Sequence, residues 1–156
     1  MVDLRFPNQD LRNEDYKDVE AGDETHRYGD YIPYPHGTSG GEPVTEIGDL
    51  VTIDGGTLAK FSEDGGDVLF GVHYTSKYLD GAAGGPDRDR PVDTDTPATV
   101  KTAGTAVVRL EDSQFGTGVP SDMAGQTLGA NGGGLVLRDP KQDPDDSSVY
   151  YTEVLF

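Results

Sequence analysis

From residue 44 onward the chain runs in short apolar stretches separated by glycine turns, a pattern that predicts strands. Residues 50–53 lead into Asp54-Gly55-Gly56, and residues 57–61 follow. Asp-Gly between apolar runs predicts a hairpin with a type I′ turn, whose two central positions need positive φ. Glu63-Asp64-Gly65-Gly66 marks another turn. Residues 68–76 form the longest alternating run. Val68, Phe70, Val72 and Tyr74 are expected on one apolar face, packed against Val107, Leu135, Leu137 or their neighbours. Leu69, Gly71, His73 and Thr75 take the other face, with His73 expected half exposed. Residues 98–101 and 105–110 read as strands around Ala103-Gly104. Residues 125–128 and 134–137 flank the turn Asn131-Gly132-Gly133, and residues 149–156 form a last strand dense in β-formers. About seven or eight short strands, with turn signals roughly every 8–12 residues, predict an all-β fold, a small β-barrel or sandwich.

The chain changes character near residue 43. Residues 1–43 lack aliphatic periodicity and carry Tyr16, Tyr28, Tyr31 and Tyr34 among charges. Pro33 and Pro35 stiffen the stretch YIPYPHGTSGG and bias their predecessors to extended geometry. Two parts are therefore expected: an extended N-terminal arm over 1–43 and a β-barrel or sandwich domain over 44–156. A short helix is expected near residues 10–20. The arm holds too little apolar surface to offset its own ordering entropy, so it is expected to bind another chain through Tyr28, Tyr31, Pro33, Tyr34 and Pro35. Residues 79–97 form a long loop rich in Gly, Pro and Asp.

Charge changes the picture most. Twenty-nine acidic residues face twelve basic ones, giving a formal net charge of -17. Two like charges ~10 Å apart in water repel by roughly 0.4 kcal/mol, and many such pairs add up. At about 1 M salt the screening length falls to roughly 3 Å and that repulsion largely vanishes. A folded chain of this composition fits a very salty medium, as in halophilic archaea and their viruses. Such acidity argues against direct binding to nucleic-acid phosphates, and the few basic residues are scattered. Cysteine is absent, so neither a disulfide framework nor thiol chemistry is available. No run reaches the ~18 apolar residues of a membrane span, so no membrane association is expected. The opening MVDLRFPNQDLRNEDYKD has no apolar signal-peptide core, and synthesis in the cytoplasm is expected.

Candidate chemistry is sparse. His26, His36 and His73 do not stand at the i, i+4 spacing of a helical zinc site. No Gly-x-Ser-x-Gly elbow or phosphate-cradling glycine loop occurs, so no catalytic residue and no cofactor are expected. Two aspartate clusters remain, Asp87, Asp89, Asp93 and Asp95 in one loop and Asp139, Asp143, Asp145 and Asp146 in another. Alternating aspartates can wrap Ca²⁺, but the EF-hand glycine and terminal glutamate are missing. In a chain this acidic such clusters are expected by chance. They are weak metal candidates and read as hydrated surface loops.

Residues 44–137 resemble the head decoration proteins, or capsid cement proteins, of tailed viruses. The resemblance rests on the opening strand in IGDLVTIDGGTLAKF, the Gly-Val step in VLFGVHY, the valine-rich return ATVKTAGTAVVRL, and the Ala-Gly step into a short Leu strand in DMAGQTLGANGGGLVL. The chain departs from it in the 79–97 loop, the 43-residue arm and the last strand. The resemblance implies a non-enzymatic virion protein that binds the outer capsid surface. It implies the major capsid protein as partner and self-association as a trimer or dimer. The alternative is a surface β-sandwich module of a haloarchaeon that binds carbohydrate or calcium. An export signal or stacking aromatics in a groove would mark that module, and tryptophan is absent here.

Overall fold

The computed structural model describes residues 30–77, 79 and 91–156. The helix expected near residues 10–20 lies outside them. The described chain is all β, with no α-helix and a single 3₁₀ turn at Asp112–Gln114. The described residues form twelve strands: β1 (Tyr31–Tyr34), β2 (Thr38–Ser39), β3 (Glu42–Pro43), β4 (Leu50–Asp54), β5 (Thr57–Lys60), β6 (Gly71–Thr75), β7 (Ala98–Lys101), β8 (Thr105–Glu111), β9 (Thr127–Leu128), β10 (Gly134–Val136), β11 (Lys141–Gln142) and β12 (Val149–Leu155).

The first sheet has the order β1-β7-β6-β4-β5, all antiparallel. In the second, β12 pairs along its whole length with β8 and, on its other side, with β10 and β11, while β9 extends the sheet beyond β10. β2 and β3 form a small separate hairpin. A parallel bridge, Asp49 to Arg109, joins the two sheets.

The β4–β5 hairpin follows its turn chemistry. Asp54 faces Thr57, leaving Gly55 and Gly56 as a two-residue turn with φ of 60° and 84°. Side chains with a Cβ resist that left-handed backbone, as a type I′ turn requires.

Strand β4 is buried on both faces at its start, through Leu50 and Val51, and this divides the interior in two. Leu50 joins Phe61, Val72, Leu110, Val136 and Val154 in the main core, with Val108, Met123 and Leu128 also inside it. Val51, on the opposite face, joins Leu58, Ala98 and Val100 in a second cluster, against which Tyr34 and Phe70 pack. The first sheet curls around this second cluster. β1 and β5 are its two edges, yet the Leu58 amide donates to the Pro35 carbonyl oxygen at 3.0 Å. The chain leaving β1 thus returns to the far edge. Gly37 makes that approach possible, because a Cβ there would meet the Leu58 carbonyl oxygen and Val44.

Three expectations are corrected. The boundary at residue 43 does not hold from Asp30 onward: β1 is a strand of the first sheet, and Thr102 donates to the Asp30 carbonyl. The run 68–76 becomes a strand only at Gly71, and Val68 is 55% exposed. The reason lies at Leu69, whose N–H and carbonyl are both bonded to the Asn131 side-chain amide, at 3.1 Å each. Leu69 is thereby drawn into the main core, Phe70 goes to the second cluster, and Tyr74 falls at a register shift between His73 and Thr75. Of the four residues expected on one face, Val72 alone lies buried in the main core. Val107, Leu135 and Leu137 are out of phase as well. Val108 and Val136 point inward, and Leu137 is exposed.

Candidate functional site

Four features of the described residues carry polar or interaction-prone chemistry. The first is the edge strand β1. Its register places Ile32 opposite Val100 and Tyr34 opposite Ala98, with Pro33 opposite Thr99. Proline has no N–H to give to a ladder, and an edge strand tolerates it. Tyr34 packs edge-on against Phe70 at 5.3 Å, inside the curl of the sheet. Tyr31 packs edge-on against Tyr74 at 4.9 Å, and the Lys101 ammonium lies 5.6 and 5.5 Å from the two ring centres. Burial, with Tyr31 close by, pushes the Tyr74 phenol well above its ordinary pKa. Ile32, Pro33 and Pro35 are exposed. Of the residues expected to bind a partner, Tyr31, Pro33, Tyr34 and Pro35 thus also build this domain, and Tyr28 lies outside the described residues.

The second feature is a charge cluster where the sheets meet. Asp49 is 1% exposed. Its Oδ2 accepts from the Glu46 amide at 2.9 Å and lies 3.8 Å from the Lys60 ammonium. Its Oδ1 accepts from Arg109 at 3.3 Å. Arg109 also pairs with Glu46 at 2.9 Å and with Glu111, and Lys60 donates to Glu111 at 2.7 Å. Burial pushes the Asp49 carboxyl up to about 6, against the pull of Lys60, the Glu46 amide and Arg109. Burial also opposes ionisation of Glu111, but bonds from Lys60 and Arg109 outweigh it and hold its pKa low. Arg109, despite burial, is held above its ordinary value by Glu111, Glu46 and Asp49. Every member has an opposite charge at hand, which describes a structural junction.

The third feature is a histidine pair, 5.6 Å between ring centres. His73 is buried, not half exposed as expected. Its Nδ1 bonds the Thr45 hydroxyl at 2.9 Å and its Nε2 the Ser76 hydroxyl. His36 is 6% exposed, and neither of its ring nitrogens has a hydrogen-bond partner among the described residues. Burial lowers its pKa, against the opposing field of Asp93.

The fourth is the acidic loops. Asp87 and Asp89 lie outside the described residues. Asp93 accepts from the Asp95 amide at 3.0 Å and the Thr96 hydroxyl at 2.8 Å. Asp139 accepts from the amides of Met123 and Ala124, Asp143 from Asp145, and Asp146 from Ser148. Asp93, Asp143 and Asp146 tie down local backbone turns in the manner of Asx caps, whereas Asp139 fastens the distant Met123-Ala124 segment. Among the described residues no group of three or more His, Asp or Glu side chains is placed to hold a metal ion. No helix there is long and apolar enough to cross a membrane.

Sequence reasoning missed the charge cluster and the histidine pair. A signal existed for the first: Asp49 stands directly before the apolar run Leu50-Val51, and Arg109 interrupts a valine-leucine run. No protein-family model, curated protein or solved structure matches the chain. The described residues define an all-β domain of two five-stranded antiparallel sheets and a small β2–β3 hairpin.

Proposed function

We propose that this protein is a structural, non-enzymatic component of a virus shell: a decoration protein that binds the outer capsid surface of a tailed virus of a halophilic archaeon. In this reading it clamps neighbouring subunits of the major capsid protein and assembles with itself as a trimer or dimer. It makes no direct contact with nucleic acid or membrane, and it is made in the host cytoplasm before joining the virion. The observation that carries the reading is the edge strand β1. It presents exposed Ile32, Pro33 and Pro35 beside the Tyr31–Tyr74–Lys101 aromatic group, and residues 1–29 lead directly into it. Edge strands recruit further strands from partners, and buried aromatics often dominate interface energy. Repetition over a closed shell multiplies modest contacts through effective concentration. The -17 charge supports assembly in concentrated salt.

The test is reconstitution on undecorated shells in high salt. Full-length protein, protein lacking residues 1–29, and Tyr31→Ala would each be bound to shells and challenged by heat. Because β1 belongs to the domain, truncation at residue 29 spares the sheet. Full-length protein should bind and raise the temperature of shell rupture, with the truncated form weaker on both counts. Equal protection by the truncated form would remove the clamp from residues 1–29. Absence of shell binding by every form would overturn the decoration role in favour of a surface module binding carbohydrate or calcium.

A further inference from the structure

We propose that His36 is an acid-sensitive latch on the closure of the first sheet: neutral, it lets the chain after β1 seat on the β5 edge, and protonated, it releases that seat. The inference does not depend on the capsid reading. His36 stands between two residues that make the closure. Pro35 accepts from the Leu58 amide at 3.0 Å, and Gly37 fits against the Leu58 carbonyl with no room for a Cβ. The His36 ring is buried with both nitrogens unpartnered among the described residues. A neutral imidazole in that place leaves one donor unsatisfied, whereas an imidazolium adds a buried charge.

The titratable and charged groups facing it are His73 from β6 and Asp93 from residues 91–97, with Lys77 beside Asp93. His73 cannot relieve the charge, since Thr45 and Ser76 occupy its nitrogens and its own protonation would add a like charge. Asp93 is only partly buried and already accepts from the Thr96 hydroxyl and the Asp95 amide. Its field opposes the effect of burial without cancelling it, and the His36 pKa remains lowered from 6.5.

The sign follows. A base whose folded pKa is depressed binds fewer protons folded than unfolded over the interval below 6.5. Its stabilising contribution is complete above 6.5 and is lost as pH falls towards the folded pKa. Asp49 works the other way: its carboxyl, raised to about 6, favours the folded state as pH falls through that value. A global melting curve therefore mixes the two, and a local readout at Leu58 is needed.

The experiment is NMR on the full chain in molar KCl, following the imidazole resonances and the hydrogen-exchange protection of the Leu58 amide from about pH 7.5 to about pH 5. His36 should titrate below 6.5. Leu58 protection should fall about tenfold for each unit of that depression. In His36→Leu, which keeps an apolar side chain without a titrating group, the loss should disappear while amides of β8 and β12 behave as in the parent. A His36 pKa at or above 6.5 would overturn the latch. So would Leu58 protection that falls equally in His36→Leu. Should that variant fail to fold, the wild-type titration and the Leu58 profile decide alone, since a latch requires Leu58 protection to start falling near 6.5 and to level off at the titration midpoint of His36.

Discussion

Phe61 offers the sharpest test of the packing. It is fully buried, follows β5 directly, and is fixed at both backbone groups: its amide donates to Leu50 at 3.0 Å and its carbonyl accepts from the Gln114 side chain at 2.8 Å. An aromatic side chain buries ~150–250 Å², and at ~25 cal/mol per Å² that transfer alone is worth roughly 4–6 kcal/mol. Alanine retains part of this and leaves a cavity, so Phe61→Ala should cost about 3–5 kcal/mol. Phe70 is the comparison. It is half-buried on the second cluster, and its edge-on contact with Tyr34 is worth ~0.5–1.5 kcal/mol beyond area. Phe70→Ala should therefore cost only about 1–3 kcal/mol. Calorimetry of both variants in molar KCl gives the answer. At roughly 2–4 °C per kcal/mol for a chain of this size, Phe61→Ala should melt some ~6–20 °C below the parent and clearly below Phe70→Ala. A Phe70→Ala protein less stable than Phe61→Ala would show that the apolar alternation of residues 68–76, not the broken phase described above, sets the core.

Two further outcomes are expected. Circular dichroism melts over a KCl series should show Tm rising from about 0.1 M to about 3 M, because the -17 charge is screened; a flat series would refute salt adaptation. Gly37→Ala should destabilise by about 1–3 kcal/mol, because its Cβ meets Leu58 backbone that cannot rotate away; an unchanged Tm would mean that the closure of the first sheet carries no stability.

The strands that proved legible are those whose ends are set by local chemistry. Gly55 and Gly56 fix the β4–β5 hairpin through positive φ, and the β-former density of β8 and β12 marks a pair that runs the full length of both strands, although the inward phase of β8 was not legible. What sequence pattern missed was set by distant partners. Residues 68–70 alternate as a strand should, yet Asn131, 62 positions away, takes both backbone groups of Leu69. Tyr31–Tyr34 looks too polar to enter a sheet by itself, but Ala98 and Val100 of β7 supply the apolar face that Tyr34 needs. Two-residue strands such as β9 and β11 carry no periodicity to read. The candidate sites show the same division. Aspartates that close local turns were visible as clusters. The Asp49–Arg109–Glu111–Lys60 cluster joins residues up to 62 positions apart, a separation that single-sequence patterns do not reveal.

That cluster also bears on how so acidic a chain keeps two sheets in register. Lysine and arginine are scarce, yet Lys60 and Arg109 converge on one junction. A buried ion pair is weak evidence for stability, because desolvation offsets much of its attraction. Removing one partner is another matter: it leaves a buried charge uncompensated, at a cost of about 3–5 kcal/mol. Asp49 sits next to Leu50 and Val51, at the point where β4 faces both cores, so a slip of β8 against β4 would strand Asp49 without Arg109 while moving apolar side chains outward. Concentrated salt screens exposed pairs but reaches buried ones far less. The same medium that relieves repulsion among the exposed carboxylates therefore weakens far less the pairing of buried Asp49 with Arg109, which links the two sheets among the described residues.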